Sequence, residues 1–187
     1  MPDPGRLMRI ILPLLLAGGA WWLFTADPSS VIQPPVVLKD REPDAFIKDA
    51  TYLTYSKTGT LSSRIQAQEA WHYPDTDEGE LVQPVVEVYQ TDAAPWVLKA
   101  QRGIYSASAD TLRLEEDVHA VGIVGSGHPL QFGTESLTYL NAKRFIQTDQ
   151  PVKMTSDRAE TTAVGMSVSI DDKRIDLHHE VQSVIYP

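Results

Sequence analysis

Apolar and polar residues alternate along the chain from residue 44 onward, and this period of two predicts β-strands. Turn-forming segments such as Lys57-Thr58-Gly59 and Asn141-Ala142-Lys143 separate the alternating runs. The run 60–73 also has helical propensity, but we assign it as a strand because its neighbours leave nothing else to pair with. The predicted strands are 45–56, 60–73, 82–90, 96–105, 111–121, 130–140, 144–148, 152–156, 159–170, 174–177 and 181–186. The pattern therefore predicts an all-β domain.

A short pattern recurs three times in the second half of the chain. Leu112-Arg113-Leu114 is followed by Val118, Ile146-Gln147-Thr148 by Val152, and Ile175-Asp176-Leu177 by Val181, at offsets of 34 and 29 residues. We interpret each copy as an alternating pair, a three-residue turn, and a valine that opens the next strand. Repeats of this size indicate one supersecondary unit used several times. The expected architecture is a stack of β-layers that is open at both ends.

Within each predicted strand the apolar residues occupy every second position, so that each strand has one apolar face. These residues are Trp96, Leu98, Ala100, Leu112, Leu114, Leu130, Phe132, Leu137, Tyr139, Met166, Val168, Ile170, Ile175 and Leu177. Such faces are covered either by a second sheet, which gives a closed core, or by a ligand in a groove. The pattern by itself fits the closed core better.

The last predicted strand, 181–186, carries no charge that would block pairing with another strand. We expect it to be an edge to which another β-protein adds a strand. The alternative is an ordinary buried final strand. The residues of this predicted docking edge are Val181, Ser183, Val184, Ile185 and Tyr186.

The N-terminal 26 residues predict a membrane anchor. Residues 10–26 form an uncharged, mostly apolar run, which as a helix spans roughly 25 Å, the short end for a bilayer core. Arg6 and Arg9 precede the run, so the N-terminus should stay in the cytoplasm. A cleaved signal peptide is the alternative, but cleavage near Ala20 would leave an apolar new terminus that begins with Trp21. The predicted organisation is a cytoplasmic stub and transmembrane helix at 1–26, a proline-rich periplasmic linker at 27–43, and a periplasmic β-domain at 44–187.

The amino-acid composition excludes several classes of function. The chain has no cysteine, so it has neither a disulfide nor a cysteine-ligated metal site. Without its first 26 residues it keeps 14 basic and 24 acidic residues, which argues against nucleic acid and against binding to anionic headgroups. No catalytic motif is present, and His178 and His179 would point to opposite faces of a strand. We expect no metal, no cofactor and no enzyme activity.

The order and spacing of several motifs resemble the LptC family of lipopolysaccharide transport proteins. These motifs are the N-terminal anchor, Tyr55-x-x-x-Gly59-x-Leu61, the stretch 67–73, Gln83-Pro84-Val85, Pro95-Trp96-x-Leu98-x-Ala100, Leu112-x-Leu114 with Val118, and Gly165. The resemblance implies a twisted, open, V-shaped antiparallel β-jellyroll of the OstA/LptA-like type behind a single inner-membrane helix. It also implies that the protein accepts lipopolysaccharide from the permease subunits of an inner-membrane ABC transporter and passes it to the soluble bridge protein LptA.

The resemblance further implies roles for individual residues. The acyl chains would lie in a groove lined by Ala50, Tyr52, Leu81, Val86, Phe132, Tyr139, Met166, Val168 and Leu177. Gly59 would be needed for the backbone conformation of a tight turn, and Gly165 for that of a late strand. A side chain at either position would disturb assembly of the bridge. Gln83-Pro84 is expected to form a bulge. We expect Phe132→Asp to abolish lipid binding without unfolding the domain. The alternative function is a membrane-tethered structural or glycan-binding β-domain with a closed core.

Overall fold

The computed structural model describes residues 41–91, 93–124 and 128–186. The predicted anchor at 1–26 and most of the predicted linker at 27–43 lie outside these residues. Within the described ranges, no helix is long and apolar enough to cross a membrane.

Every regular element of the described residues is a β-strand, so the all-β prediction is confirmed. The strands are β1 (Ala45–Tyr55), β2 (Leu61–Tyr73), β3 (Glu78–Val82), β4 (Val85–Gln90), β5 (Ala93–Lys99), β6 (Arg102–Ser106), β7 (Thr111–Val124), β8 (His128–Leu140), β9 (Phe145–Thr155), β10 (Ala159–Ser169) and β11 (Arg174–Ile185).

Several predicted strand boundaries were wrong. The predicted strand 82–90 is broken at Gln83-Pro84, where Gln83 has a φ of 47°, and 96–105 is broken at residues 100–101. Conversely, the predicted pair 144–148 and 152–156 is the single strand β9, and the pair 174–177 and 181–186 is the single strand β11. The intervals within the repeated pattern are therefore irregularities inside long strands and not turns between short ones, because the backbone hydrogen bonds resume in the same direction on both sides.

All strand pairs are antiparallel, and they follow one another as a meander. β4 pairs with β5 while β3 pairs with β6, so β3 and β4 form one interrupted long strand and β5 and β6 form the next. β7 then pairs with both β5 and β6. Among the described residues β1 pairs only with β2, and β11 only with β10. The sheet therefore has two open edges, as the sequence predicted.

The breaks in neighbouring strands lie side by side and form a line across the sheet, which we call the fold line. In β7, Glu116 and Asp117 have φ angles of 65° and 55°, and the register with β8 shifts after Glu115. In β10, Gly165 with a φ of 79° sits at the register shift with β9. Because a bulge bends its strand, aligned bulges bend the whole sheet. The other positive-φ residues on this line are Asp49 in β1, Gln83 after β3, and Glu180 in β11.

The fold line divides the long strands into halves, which form two leaves. Leaf 1 contains β4, β5 and the adjoining halves, such as 61–67 of β2, and leaf 2 contains β3, β6 and the adjoining halves, such as 111–115 of β7. Arg144 of leaf 2 hydrogen-bonds to Ser62 and Tyr89 of leaf 1. The two leaves therefore face each other, and the sheet folds over along the fold line.

The apolar core lies between the two leaves, and the predicted parity is confirmed by burial. The predicted inward residues from Trp96 to Ile170 are all buried, and Ile175 and Leu177 pack against this core while partly exposed. Phe132 and Tyr139 both reach the core although they are an odd number of residues apart, because the register of β8 with β9 shifts between Thr134 and Thr138. This shift lets one strand contribute to both leaves.

Candidate functional site

A cavity of about 370 Å³ lies between the leaves on the β1 side of the sheet, and we call it the inner cavity. Its volume falls at the lower end of the range of about 300–1,000 Å³ that is usual for ligand pockets. Side chains from β1 and from the first half of β2 in leaf 1 line it together with side chains from the second half of β2 and from β3, β6, β7 and β8 in leaf 2. The apolar and aromatic residues of its lining are Tyr52, Leu53, Ile65, Trp71, Leu81, Tyr105, Ala107, Leu112 and Tyr139.

The polar residues of the lining are Thr54, Ser63, His72, Asp77 and Asn141, and the hydroxyl of Tyr139 is a further polar group. Tyr139 is 1% exposed, and its hydroxyl donates to Asn141 Oδ1 at 3.4 Å. Asn141 Nδ2 in turn donates to Asp110 at 3.0 Å. Burial raises the pKa of Tyr139 to about 12, so the phenol stays neutral at every physiological pH. A mainly apolar lining with a smaller number of polar groups suits an amphipathic ligand.

The β1 edge of the cavity is half open. Tyr52 lines the cavity and is 43% exposed, and Leu53 beside it is also exposed. Further along β1, the Phe46 ring stacks on Trp71 with 4.2 Å between ring centroids. The lining of the inner cavity is therefore exposed to solvent at Tyr52 and Leu53 on the β1 edge.

Charged residues line the cavity or lie beside it. His72, which lines it, hydrogen-bonds through Nδ1 to Asp44 at 2.6 Å and lies 3.6 Å from Asp77 through Nε2. The hydrogen bond to Asp44 raises the pKa of His72 above its usual value. Arg41 pairs with Glu78 at 3.1 Å in the same region. Among the described residues no group of His, Asp or Glu is arranged to hold a metal ion.

The structure divides the predicted lipid-binding residues into two groups. Tyr52, Leu81 and Tyr139 line the inner cavity. The others do not line it: Ala50, Val86, Phe132, Met166 and Val168 are buried in the core, and Leu177 packs against the core from β11. The prediction did not include Trp71, Tyr105 and Ile65, which also line the cavity. Alternation with the buried Gly103 was the available signal for Tyr105, and alternation continued from Ser63, Ile65 and Ala67 along β2 was the available signal for Trp71.

Beyond the inner cavity the core is closely packed. Within leaf 1, Trp96 and Phe132 pack with 5.9 Å between ring centroids, and Phe132 is 2% exposed. Phe132→Asp would therefore bury a carboxylate without a partner, which unfolds domains through its desolvation cost. The expectation that this variant stays folded does not fit the packing, and Tyr52 is the better position for a polar substitution.

The predicted docking edge is exposed. Val181, Val184 and Tyr186 are at least half exposed, and Ile185 is 76% exposed. Ser183 shares a hydrogen bond of 2.8 Å with Thr161 of β10, its only strand neighbour in the described structure. The alternative of a buried final strand is therefore wrong, and β11 presents an uncharged apolar end at the edge of the sheet.

The two predicted backbone glycines both have positive φ angles, but their surroundings differ. Gly59 has a φ of 81° in the turn between β1 and β2, and no other atom lies within 4 Å of the position of an added Cβ. Gly165 has a φ of 79°, and an added Cβ would lie 2.9 Å from Nδ1 of His178. Both positions favour glycine for their backbone conformation, and Gly165 also for space.

Comparisons with known proteins agree with this architecture. The structure is similar to that of LptH, the LptA-homologous periplasmic component of the lipopolysaccharide transport device from Pseudomonas aeruginosa. The TM-score is 0.52 at 8% sequence identity, over 67% of this chain and 95% of that one. At such low identity the likeness shows the fold alone. No curated protein sequence matches the chain.

One family model covers nearly the whole chain. It is the model described as lipopolysaccharide-assembly, LptC-related, and it matches residues 10–186, which include all eleven strands. An antiparallel sheet that is folded over an apolar cavity and left open at both edges is compatible with that description. The chain therefore belongs to the LptC family of lipopolysaccharide-assembly proteins.

Proposed function

We propose that the protein holds the acyl chains of lipopolysaccharide between its two leaves and passes the lipid along the sheet from the β1 edge to the β11 edge. The observation that carries this proposal is the inner cavity, which is lined by aromatic and aliphatic side chains and open past Tyr52. Family membership supports a role in lipopolysaccharide transport. No bond is made or broken in this function.

In this proposal transfer runs from one open edge of the sheet to the other. At the β1 edge, the exposed Phe46, Ile47 and Leu53 would meet the periplasmic part of the inner-membrane ABC transporter. At the β11 edge, the exposed residues from Val181 to Tyr186 would accept a strand of a soluble periplasmic protein of the same fold, LptA. In this proposal residues 1–26 anchor the protein in the inner membrane, 27–43 span the distance to it, and 44–187 act in the periplasm.

The packed core sets a condition on this transfer. Val86, Phe132, Met166 and Val168 are buried against their neighbours, so a lipid that leaves the inner cavity must separate the leaves as it advances. Each acyl chain then replaces contacts between side chains with contacts to itself. Since both are apolar, the exchange costs little solvation free energy.

Photocrosslinking in living cells tests the proposal. A photoreactive amino acid replaces Tyr52 in the cavity, or Thr51, which is exposed on the opposite face of the same strand and serves as the matched control. We expect a lipopolysaccharide adduct at Tyr52 and none at Thr51. Absence of an adduct at Tyr52, in a protein that is exported and folded, would instead favour a tethered structural or glycan-binding domain with a closed core.

A further inference from the structure

Arg144 connects the two leaves across the open side of the folded sheet. Its Nη1 donates to Ser62 Oγ at 3.0 Å, its Nη2 donates to the backbone carbonyl of Tyr89, and its Nε pairs with Asp171 at 2.6 Å. The side chain is only 19% exposed. Ser62 and Tyr89 belong to leaf 1, whereas Arg144 and Asp171 belong to turns of leaf 2. The two hydrogen bonds of Arg144 to Ser62 and Tyr89 therefore join the two leaves through its side chain.

These groups lie where the free margins of the leaves meet. Residues 141–144 and 170–173 are turns at the margin of leaf 2, and the ends of β2 and β4 near Ser62 and Tyr89 are at the margin of leaf 1. The fold line forms the closed side of the groove, so these margins form its mouth. We call the connection from Arg144 to Ser62 and Tyr89 the clasp.

The clasp lies between the two edge strands of the sheet, β1 and β11. Its partners are in β2 and β4 on one leaf and in the turn before β9 on the other, so it lies between β1 and β11 in the strand order. A glycolipid whose acyl chains lie between the leaves must leave its bulky headgroup outside the mouth. To advance from the inner cavity to β11, that headgroup has to pass the position of the clasp.

We propose that Arg144 is a gate that opens by exchanging its two neutral acceptors on leaf 1 for an anionic group of the lipid, such as a phosphate. The inference rests on the proposed function. A guanidinium binds phosphate through two parallel, charge-assisted hydrogen bonds, which are stronger than those to a hydroxyl and a carbonyl. Asp171 holds Nε in place, so that Nη1 and Nη2 remain available for the exchange. Arg144 supplies a positive charge beside Asp171, whose carboxylate would otherwise repel such a headgroup.

The opening of the clasp can be measured as a distance. Because the chain contains no cysteine, Thr91→Cys and Lys143→Cys place two spin labels on exposed turns on either side of the clasp without background labelling. We expect a short, narrow distance distribution for the full-length protein in detergent. Lipid A carrying two phosphates should lengthen and broaden it, and chemically dephosphorylated lipid A should not.

Two arginine variants test the residue itself. In Arg144→Gln, which keeps a polar side chain but is shorter and loses the charge and both Nη donors, the distribution should be broad before any lipid is added. Arg113→Gln removes an arginine that pairs with Glu115 on the outer surface, and it should behave like the parent protein. An equal response of the parent protein to both lipids, or a narrow distribution in Arg144→Gln, would overturn the gate.

A second experiment separates the gate from the proposed function and leaves Arg144 in place, so folding is not in question. The cysteines at 91 and 143 are tied by a short bis-maleimide in permeabilised cells, and lipopolysaccharide adducts are measured with a photoreactive residue at Tyr52 or Leu177. With the margins tied, the adduct at Tyr52 should persist and the adduct at Leu177, beyond the clasp, should be lost. If both adducts persist, the gate is wrong while the conduit stands. If Tyr52 gives no adduct even in untied protein, the conduit itself fails.

Discussion

The indole of Trp96 lies directly on the backbone of Gly122 in the neighbouring strand β7, so that a Cβ added at Gly122 would fall 2.1 Å from indole Cδ2. Only glycine leaves room for the ring, which packs on its other side near Phe132. The aromatic centre of the core thus depends on the absence of one methyl group.

Gly122→Ala should therefore destabilise the domain, because the buried indole must leave its position. Overpacking of this kind costs about 1–3 kcal/mol, measured as the change in free energy of unfolding in urea. Gly133→Ala is the matched control, since its Cβ would meet His119 at an ordinary 3.6 Å. Equal stability of the two variants would show that Trp96 adapts at no cost.

Gly59 and Gly165 should respond differently to asparagine. At Gly59 only the backbone conformation matters, so Gly59→Ala should cost about 1 kcal/mol and Gly59→Asn less, since asparagine tolerates positive φ. At Gly165 asparagine should destabilise the domain as much as alanine does, because the Cβ of either residue approaches His178. Thermal unfolding of Gly59→Ala, Gly59→Asn, Gly165→Ala and Gly165→Asn tests this contrast, and a higher stability of Gly165→Asn than of Gly165→Ala would mean that His178 moves aside freely.

Ile185→Lys should weaken the proposed docking of a soluble periplasmic partner at β11. The side chain is 76% exposed, so the fold loses little, whereas a lysine on a free sheet edge opposes the addition of another strand. Co-purification with LptA measures the effect, and Gln131→Lys, an exposed change of the same charge on β8, is the control. If both variants bind LptA equally well, β11 is not the docking edge.

Asp44→Asn should lower the pKa of His72 toward its ordinary value near 6.5, because the hydrogen bond from Asp44 is the largest cause of the raised pKa. A raised pKa means that the protonated imidazole stabilises the folded state below about pH 6.5, and this contribution is lost as the pH rises through the folded pKa.

An NMR titration of the His72 ring protons measures that pKa. Asp77→Asn is the control and should lower it less, since Asp77 lies at 3.6 Å and contributes less. An unchanged titration in Asp44→Asn would show that another group sets the pKa of His72.

Much of the fold followed from the sequence, because alternation with a period of two is a local property of each strand. The inward positions of Leu112, Leu114, Phe132 and Tyr139 were predicted in this way. The errors lie at the fold line. Residues such as Glu116 and Glu180 have positive φ angles there, and no local pattern distinguishes a bulge within one strand from a turn between two.

The sequence by itself determined the strands, their apolar faces and the uncharged edge at β11, since each depends on residues that are close together in the chain. Only the tertiary structure decided which of the apolar residues leave an inner cavity and which close the core, because that depends on how two leaves meet across the fold line. The same holds for Arg144. Its partners Ser62 and Tyr89 lie 82 and 55 residues away in the sequence, and the folding of the sheet alone brings them together.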